Sequence, residues 1–222
     1  MFKTLLITEF RANRVITLLA GIANLALFLI LGTAEVPNLN TFMAATMLFF
    51  YIHLIVLAVL IGEDKRNRLY AQLPVSPEQI FWAGWSYVLL WLLAQILLWL
   101  LFALVFQASF TGDSLLACFA VGLGMAIMIA IVSIGIDLMN YRPAWLLWLY
   151  VTVVALGLLT AIRSGISVGS ISGEDEIRLF PFALLTTGDG IEPLAWLVAI
   201  LIFLGLLLLD RWVFRNADHY LS

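Results

Sequence analysis

Six long apolar runs dominate this chain and leave it few ways to fold. They extend over Val15 to Leu31, Phe42 to Ile61, Phe81 to Phe106, Leu115 to Leu138, Ala144 to Ile162 and Leu194 to Val213. A helix of about 20 residues matches the roughly 30 Å hydrocarbon core of a bilayer. With 64% apolar and 11% charged residues, the composition lies outside the range of a soluble domain. Lipid offers no partner to a bare N–H or C=O, so a spanning chain must bond its backbone internally. No run shows the ten-residue in-and-out alternation of a membrane β-barrel. The expected fold is an all-α polytopic membrane protein: six transmembrane helices in a single transmembrane domain over residues 1–222. The first run follows a charged amphipathic segment and lacks a small-residue cleavage site, so it is not read as a signal peptide.

Basic residues near span ends stay cytoplasmic. Six spans put both termini on one side, together with Lys3, Arg11, Arg14, Lys65, Arg66, Arg68, Arg142, Arg211 and Arg215. Only Arg163 and Arg178 fall opposite, so both termini are expected in the cytoplasm. The far side collects Glu35, Asp113, Glu174, Asp175, Glu176, Asp189 and Glu192, which accounts for most of the net charge of -3 and argues against a nucleic-acid partner. Trp82, Trp85, Tyr141, Trp145 and Trp212 near span ends suit the half-wet interfacial belt. A lone Cys118 supplies neither a disulfide framework nor a Cys-rich metal site.

Residues 1–14 place Phe2, Leu5, Leu6 and Phe10 on roughly one helical face, with Lys3, Thr4, Arg11 and Arg14 elsewhere. That is the pattern of an interfacial amphipathic helix lying among lipid headgroups. A plain cytoplasmic extension of the first span is the alternative. Residues 163–193 form the longest outer loop, an extracytoplasmic segment mixing five glycines with the apolar string LFPFALL from Leu179 to Leu185. Short helices on the outer membrane face are expected there, against the alternative of an acidic linker.

The most polar run is Gly62 to Ile80, GEDKRNRLYAQLPVSPEQI, between the second and third spans. A helix continuing from Glu63 would set Leu69 and Leu73 on one face, and Pro74 would end it. Ser76, Pro77 and Gln79 then make a helix start: Ser76 caps, Pro77 suits the first helical position, and Gln79 closes an S-x-x-Q capping box. The segment reads as a short cytoplasmic helix, a sharp turn and a new helix, a knob fit to enter a groove on a soluble partner. A solvated hairpin with ordinary positive-inside charge has the same composition.

Glu63 and Asp64, the basic Lys65, Arg66 and Arg68, then Leu69, and L-P-V-S-x-x-Q-I through Leu73, Pro74, Val75, Ser76, Gln79 and Ile80 resemble the permease subunits of type-2 ABC exporters. The likeness extends to the six-span layout, the lead-in with Glu9, Phe10 and Arg11, the long loop before the last span and the short basic tail. It covers most of the chain. The resemblance implies that residues 62–80 form a coupling helix docked on a separate ABC ATPase subunit. It also implies that two permeases, identical or related, pair around a translocation path in the plasma (inner) membrane. ATP and Mg belong to the partner, with no cofactor on this chain. No G-x-x-x-x-G-K string occurs and the only lysines are Lys3 and Lys65, so the chain is not itself a P-loop ATPase or an enzyme on that account.

Within the spans, Asn24, Thr46, His53 and Gln95 are candidates for the translocation path, because polar groups in lipid turn toward a bundle interior or cavity. Each also suits an interhelical hydrogen bond. Asp137 is expected to pair with Arg142 across the turn at Pro143. Gly122, Gly124, Ala126 and Ala130 favour close helix approach. No H-E-x-x-H or G-x-S-x-G string supports a membrane-embedded hydrolase. A second reading is a non-transporting scaffold or regulator that docks a cytoplasmic partner through the 62–80 loop, with membrane lipids as its surroundings in either case. The residues do not name a cargo.

Overall fold

The computed structural model describes residues 2–34, 37–61, 76–106, 112–141, 144–163 and 193–215, with the side chains of 51–61, 156–163 and a few helix-end residues outside that description. The described residues form seven helices and no strand: α1 Phe2–Ala12, α2 Arg14–Gly32, α3 Leu39–Ile61, α4 Pro77–Phe106, α5 Gly112–Tyr141, α6 Ala144–Arg163 and α7 Pro193–Arg215. Arg14–Gly32, Pro77–Phe106, Cys118–Leu138 and Trp196–Arg215 are long and apolar enough to cross a membrane. Leu39–Phe50 and Trp145–Ala155 are shorter apolar stretches over the described side chains.

Local chemistry sets the helix ends. At the α1–α2 junction, Asn13 keeps helical hydrogen bonds on both sides: its amide reaches Glu9 O at 3.0 Å and its carbonyl accepts from Thr17 N at 2.9 Å. After α2, the Thr33 amide and hydroxyl both donate to Leu29 O, one of the carbonyls at the helix end. The Asn38 side chain accepts from Asn40 N and Thr41 N to start α3. At α4 the expected capping box forms: Gln79 N donates to Ser76 Oγ while Ser76 N donates to Gln79 Oε1, both at 3.3 Å.

The chain divides into two compact units, Met1–Cys118 and Phe119–Tyr220. In the first unit α4 is the central element, with α1, α2 and α3 packed on it. Matched pairs fix helix direction. Thr17 meets Tyr87, Asn24 meets Gln95 and Phe28 meets Phe102, so α2 and α4 run parallel. Phe42 meets Phe102 while Thr46 meets Trp99, so α3 runs opposite to both. Phe28, Phe42, Phe102 and Phe106 form the apolar centre, with Phe42 stacked on Phe102 at 4.2 Å. Outward, α2 shows Val15, Leu18, Leu19, Ile22, Leu25, Leu29 and Ile30. An apolar exterior around a partly polar interior suits lipid as the surrounding solvent.

In the second unit, α7 turns Trp196, Ala199, Phe203, Leu206, Asp210 and Val213 inward at alternating spacings of three and four residues. That spacing keeps one stripe on one face. Facing residues of α5 follow a similar rhythm through Ala120, Leu123, Ile127, Ile131, Ile134 and Leu138. From α6, Leu146, Leu147 and Tyr150 pack on the lower of these two clusters.

Candidate functional site

Tyr87, Trp91, Gln95 and Trp99 stand four residues apart along α4. Twelve residues cover roughly 18 Å, and because four residues turn a helix through slightly more than one revolution, the stripe winds about 120° around its axis. Its partners change accordingly. Near the start of the stripe the Tyr87 hydroxyl lies 2.8 Å from Thr17 Oγ1 on α2 and accepts from Trp91 Nε1 at 3.1 Å. The edge of Phe10 on α1 meets the Tyr87 ring at 4.9 Å, and the Glu9 carboxylate lies within electrostatic reach of the phenol.

One rung further, Asn24 Nδ2 donates to Gln95 Oε1 at 3.0 Å between α2 and α4. Next, Trp99 Nε1 donates to Thr46 Oγ1 on α3 at 2.7 Å, and Thr46 donates onward to Phe42 O at 2.8 Å. All of these are neutral groups in an apolar setting, where each hydrogen bond replaces one that water would have made. The seam therefore joins α2, α3 and α4 along several turns. At its middle rung, Asn24 Oδ1 and Gln95 Nε2 have no hydrogen-bond partner among the described residues, although both residues are at least 95% buried.

Three of the four path candidates thus belong to one seam: Asn24 and Gln95 touch each other, and Thr46 sits beneath Trp99 one turn away. All three are buried within the first unit. His53 lies on α3, and its side chain is outside the described residues. Of the coupling segment, Ser76 and Gln79 form the α4 cap, whereas Glu63, Asp64, Lys65, Arg66, Arg68, Leu69, Leu73, Pro74 and Val75 lie outside the described residues. So does the 163–193 loop apart from its two end residues, and so does Arg142, the expected partner of Asp137.

Sequence reasoning missed two buried acids. Asp210 on α7 is fully buried and accepts from Ser133 Oγ of α5 at 3.0 Å through Oδ2. Beside it, the Tyr150 hydroxyl of α6 donates to the Ile131 carbonyl of α5. Together they tie α5, α6 and α7 by polar contacts surrounded by Ile134, Leu138, Val213 and Leu206. The available signal was the alternation of three and four along α7, which puts Asp210 on the inward stripe with Leu206 and Val213. Glu9 is the second, 2% exposed, buried like Leu5 and Asn13 and within electrostatic reach of Tyr87 on α4. The spacing 5, 9, 13 marks one face, and apolarity alone had assigned a different one, with Phe10, which is 37% exposed.

Chemically, the seam offers neutral donors and acceptors beside aromatic rings, whereas the α5–α7 node offers a buried carboxylate. Among the described residues no group of three or more His, Cys, Asp or Glu is placed to hold a metal ion. Against known proteins, no family model, no curated protein and no solved structure matches this chain.

Proposed function

We propose that this chain is the membrane permease subunit of an ATP-binding cassette exporter, pairing with a second copy or a related permease and driven by a separate ATPase subunit. On this reading α2 to α7 are six spans with both termini in the cytoplasm of a plasma (inner) membrane. Helix α1 lies in the inner headgroup layer, and residues 163–193 form the outer loop. ATP and Mg are held by the partner. The observation that carries the reading is the placement of the L-P-V-S-x-x-Q-I string. Its Ser76 and Gln79 form the cap from which apolar α4 starts, and the basic 62–75 stretch lies between two apolar helices.

Mechanically, a capped, proline-bounded start makes α4 a stiff lever. Motion delivered by the ATPase to residues 62–80 passes along α4, whose polar stripe grips α2 and α3. Asn24, Thr46 and Gln95 are buried. Cargo would reach them only once α2 and α4 part. The test is purification of the tagged full chain from mild detergent with its own host's proteins. A P-loop ATPase should copurify, and charge reversal of Lys65, Arg66 and Arg68 together should abolish that association while membrane insertion persists. An ATPase retained undiminished by the reversed variant would count against the docking assignment.

A further inference from the structure

The middle rung of the seam is incomplete in a specific way. Asn24 and Gln95 share one hydrogen bond, and what remains is one carbonyl oxygen on Asn24 and one NH2 group on Gln95. Both residues are nearly inaccessible, at 5% and 1% exposure. Exchanging O and N in both side chains, the ambiguity inherent in amides, reverses the bond yet still leaves one donor and one acceptor. The residual demand is therefore independent of that assignment. Neighbouring rungs show no such demand: the Trp99 indole donates to Thr46, the Thr46 hydroxyl donates to Phe42 O, and Tyr87 serves both Thr17 and Trp91.

We propose that the Asn24–Gln95 pair is a binding site for one water molecule, buried between α2 and α4. A cation would face the N–H donors and an anion the carbonyl, and either would carry its charge into an apolar interior at high cost. A pure acceptor would leave Asn24 unserved, and a pure donor would leave Gln95 so. A hydroxyl group donates and accepts through one atom, and water is its smallest form. The bound water also gives the seam a place to open. As α2 and α4 part, the broken amide bond frees one donor and one acceptor, which the water serves with its remaining acceptor and donor, so neither amide is stranded. The site stands whether or not the chain is a permease.

Proton-detected solid-state NMR of the full chain, 15N-labelled at glutamine and reconstituted in phosphatidylcholine, tests this directly, because that lipid carries no hydroxyl. Magnetisation should pass from water to the Gln95 Nε2 protons, assigned through their connection to the Gln95 backbone amide, without need of a variant. Asn24→Leu, which removes one of the two anchors, should weaken that transfer several-fold. Gln95 side-chain protons that exchange magnetisation with aliphatic protons alone in the wild type would show the two amides closed on each other and would overturn the site.

Discussion

The indole N–H of Trp99 ends on the hydroxyl of Thr46, which passes its own proton to the Phe42 carbonyl, so one side chain of α4 is bonded through α3 into that helix's backbone. Trp99 and Thr46 are both fully buried, and the consequences of breaking this chain are asymmetric. Thr46→Val keeps the shape but strands a buried indole N–H, for about 1–2 kcal/mol. Trp99→Phe removes the donor and leaves the Thr46 hydroxyl bonded to Phe42, so its polar cost is about 0.6 kcal/mol, the average for such contacts in membrane helices. Trp99→Ala adds a cavity and should cost about 3–5 kcal/mol. Reversible unfolding in mixed micelles should rank Trp99→Ala above Thr46→Val, and Thr46→Val above the polar part of Trp99→Phe. A Trp99→Phe loss equal to that of Trp99→Ala would contradict the ranking.

A close approach at the C-terminal end of α2 gives a second expectation. Gly32 is the last residue of α2, within ordinary helix, and a Cβ there would overlap the Phe106 ring. Space, rather than backbone conformation, is what calls for glycine. Alanine would gain up to about 1 kcal/mol of helix propensity. Overpacking against a ring already held by Phe28 and Phe102 costs about 1–3 kcal/mol and outweighs it. Gly32→Ala should therefore lower stability by about 1 kcal/mol, and the same change in a Phe106→Ala background should be neutral or stabilising. Equal effects in both backgrounds would remove the clash from the argument.

The parts of this structure legible in the sequence are those governed by local rules. Apolar length predicted an all-helical chain with long apolar helices, and the spacing of Ser76 and Gln79 predicted their reciprocal cap. What escaped depends on which faces meet. Asn24 and Gln95 were each visible as polar residues in lipid, but their pairing bridges 71 residues and follows from the parallel packing of α2 and α4. Asp210 was hidden because the last span, Leu194 to Val213, was read by its apolar length alone, whereas the helical stripe carries Asp210 inward. Glu9 was hidden because an amphipathic face was drawn through apolar residues alone.

Asp210 and Ser133 make the third case. The carboxylate is fully buried and Ser133 Oγ is one of its donors, so removing either end disturbs the packing of α7 on α5. Ser133→Ala deletes one donor to a buried acid and should cost about 1.5 kcal/mol, toward the lower end for hydrogen bonds to charged groups. Asp210→Ala also leaves a gap among Leu206, Val213 and Ile134, for a total of about 3 kcal/mol. The pair should be coupled: once Asp210 is alanine, Ser133→Ala should cost little more. Full additivity in a double-mutant cycle would mean that the hydroxyl contributes through some other partner.

The last expectation concerns α1, whose two faces are the reverse of a simple amphipathic helix. Leu5, Glu9 and Asn13 are buried, whereas Lys3, Ile7 and Arg11 on α1 and Arg14 at the start of α2 are exposed, and Phe10 lies between, 37% exposed with its edge on Tyr87. Cations alternating with apolar side chains suit a headgroup layer, where rings and aliphatic groups rest at the acyl boundary and ammonium or guanidinium groups meet phosphate. The one acid of α1 is buried on the opposite face, so among the described residues of α1 no acid stands beside these positive charges. Each basic residue near an anionic surface contributes an attraction worth about five-fold in affinity. Changing Lys3, Arg11 and Arg14 to glutamine one at a time should therefore lower retention of anionic over zwitterionic phospholipid stepwise, as read by mass spectrometry of protein released from mixed nanodiscs. Added salt should weaken the wild-type preference far more than that of the triple variant. A preference unchanged in the triple variant would place the anionic contact elsewhere on the chain and leave α1 held by its contacts with α4, the Phe10 edge on Tyr87 among them.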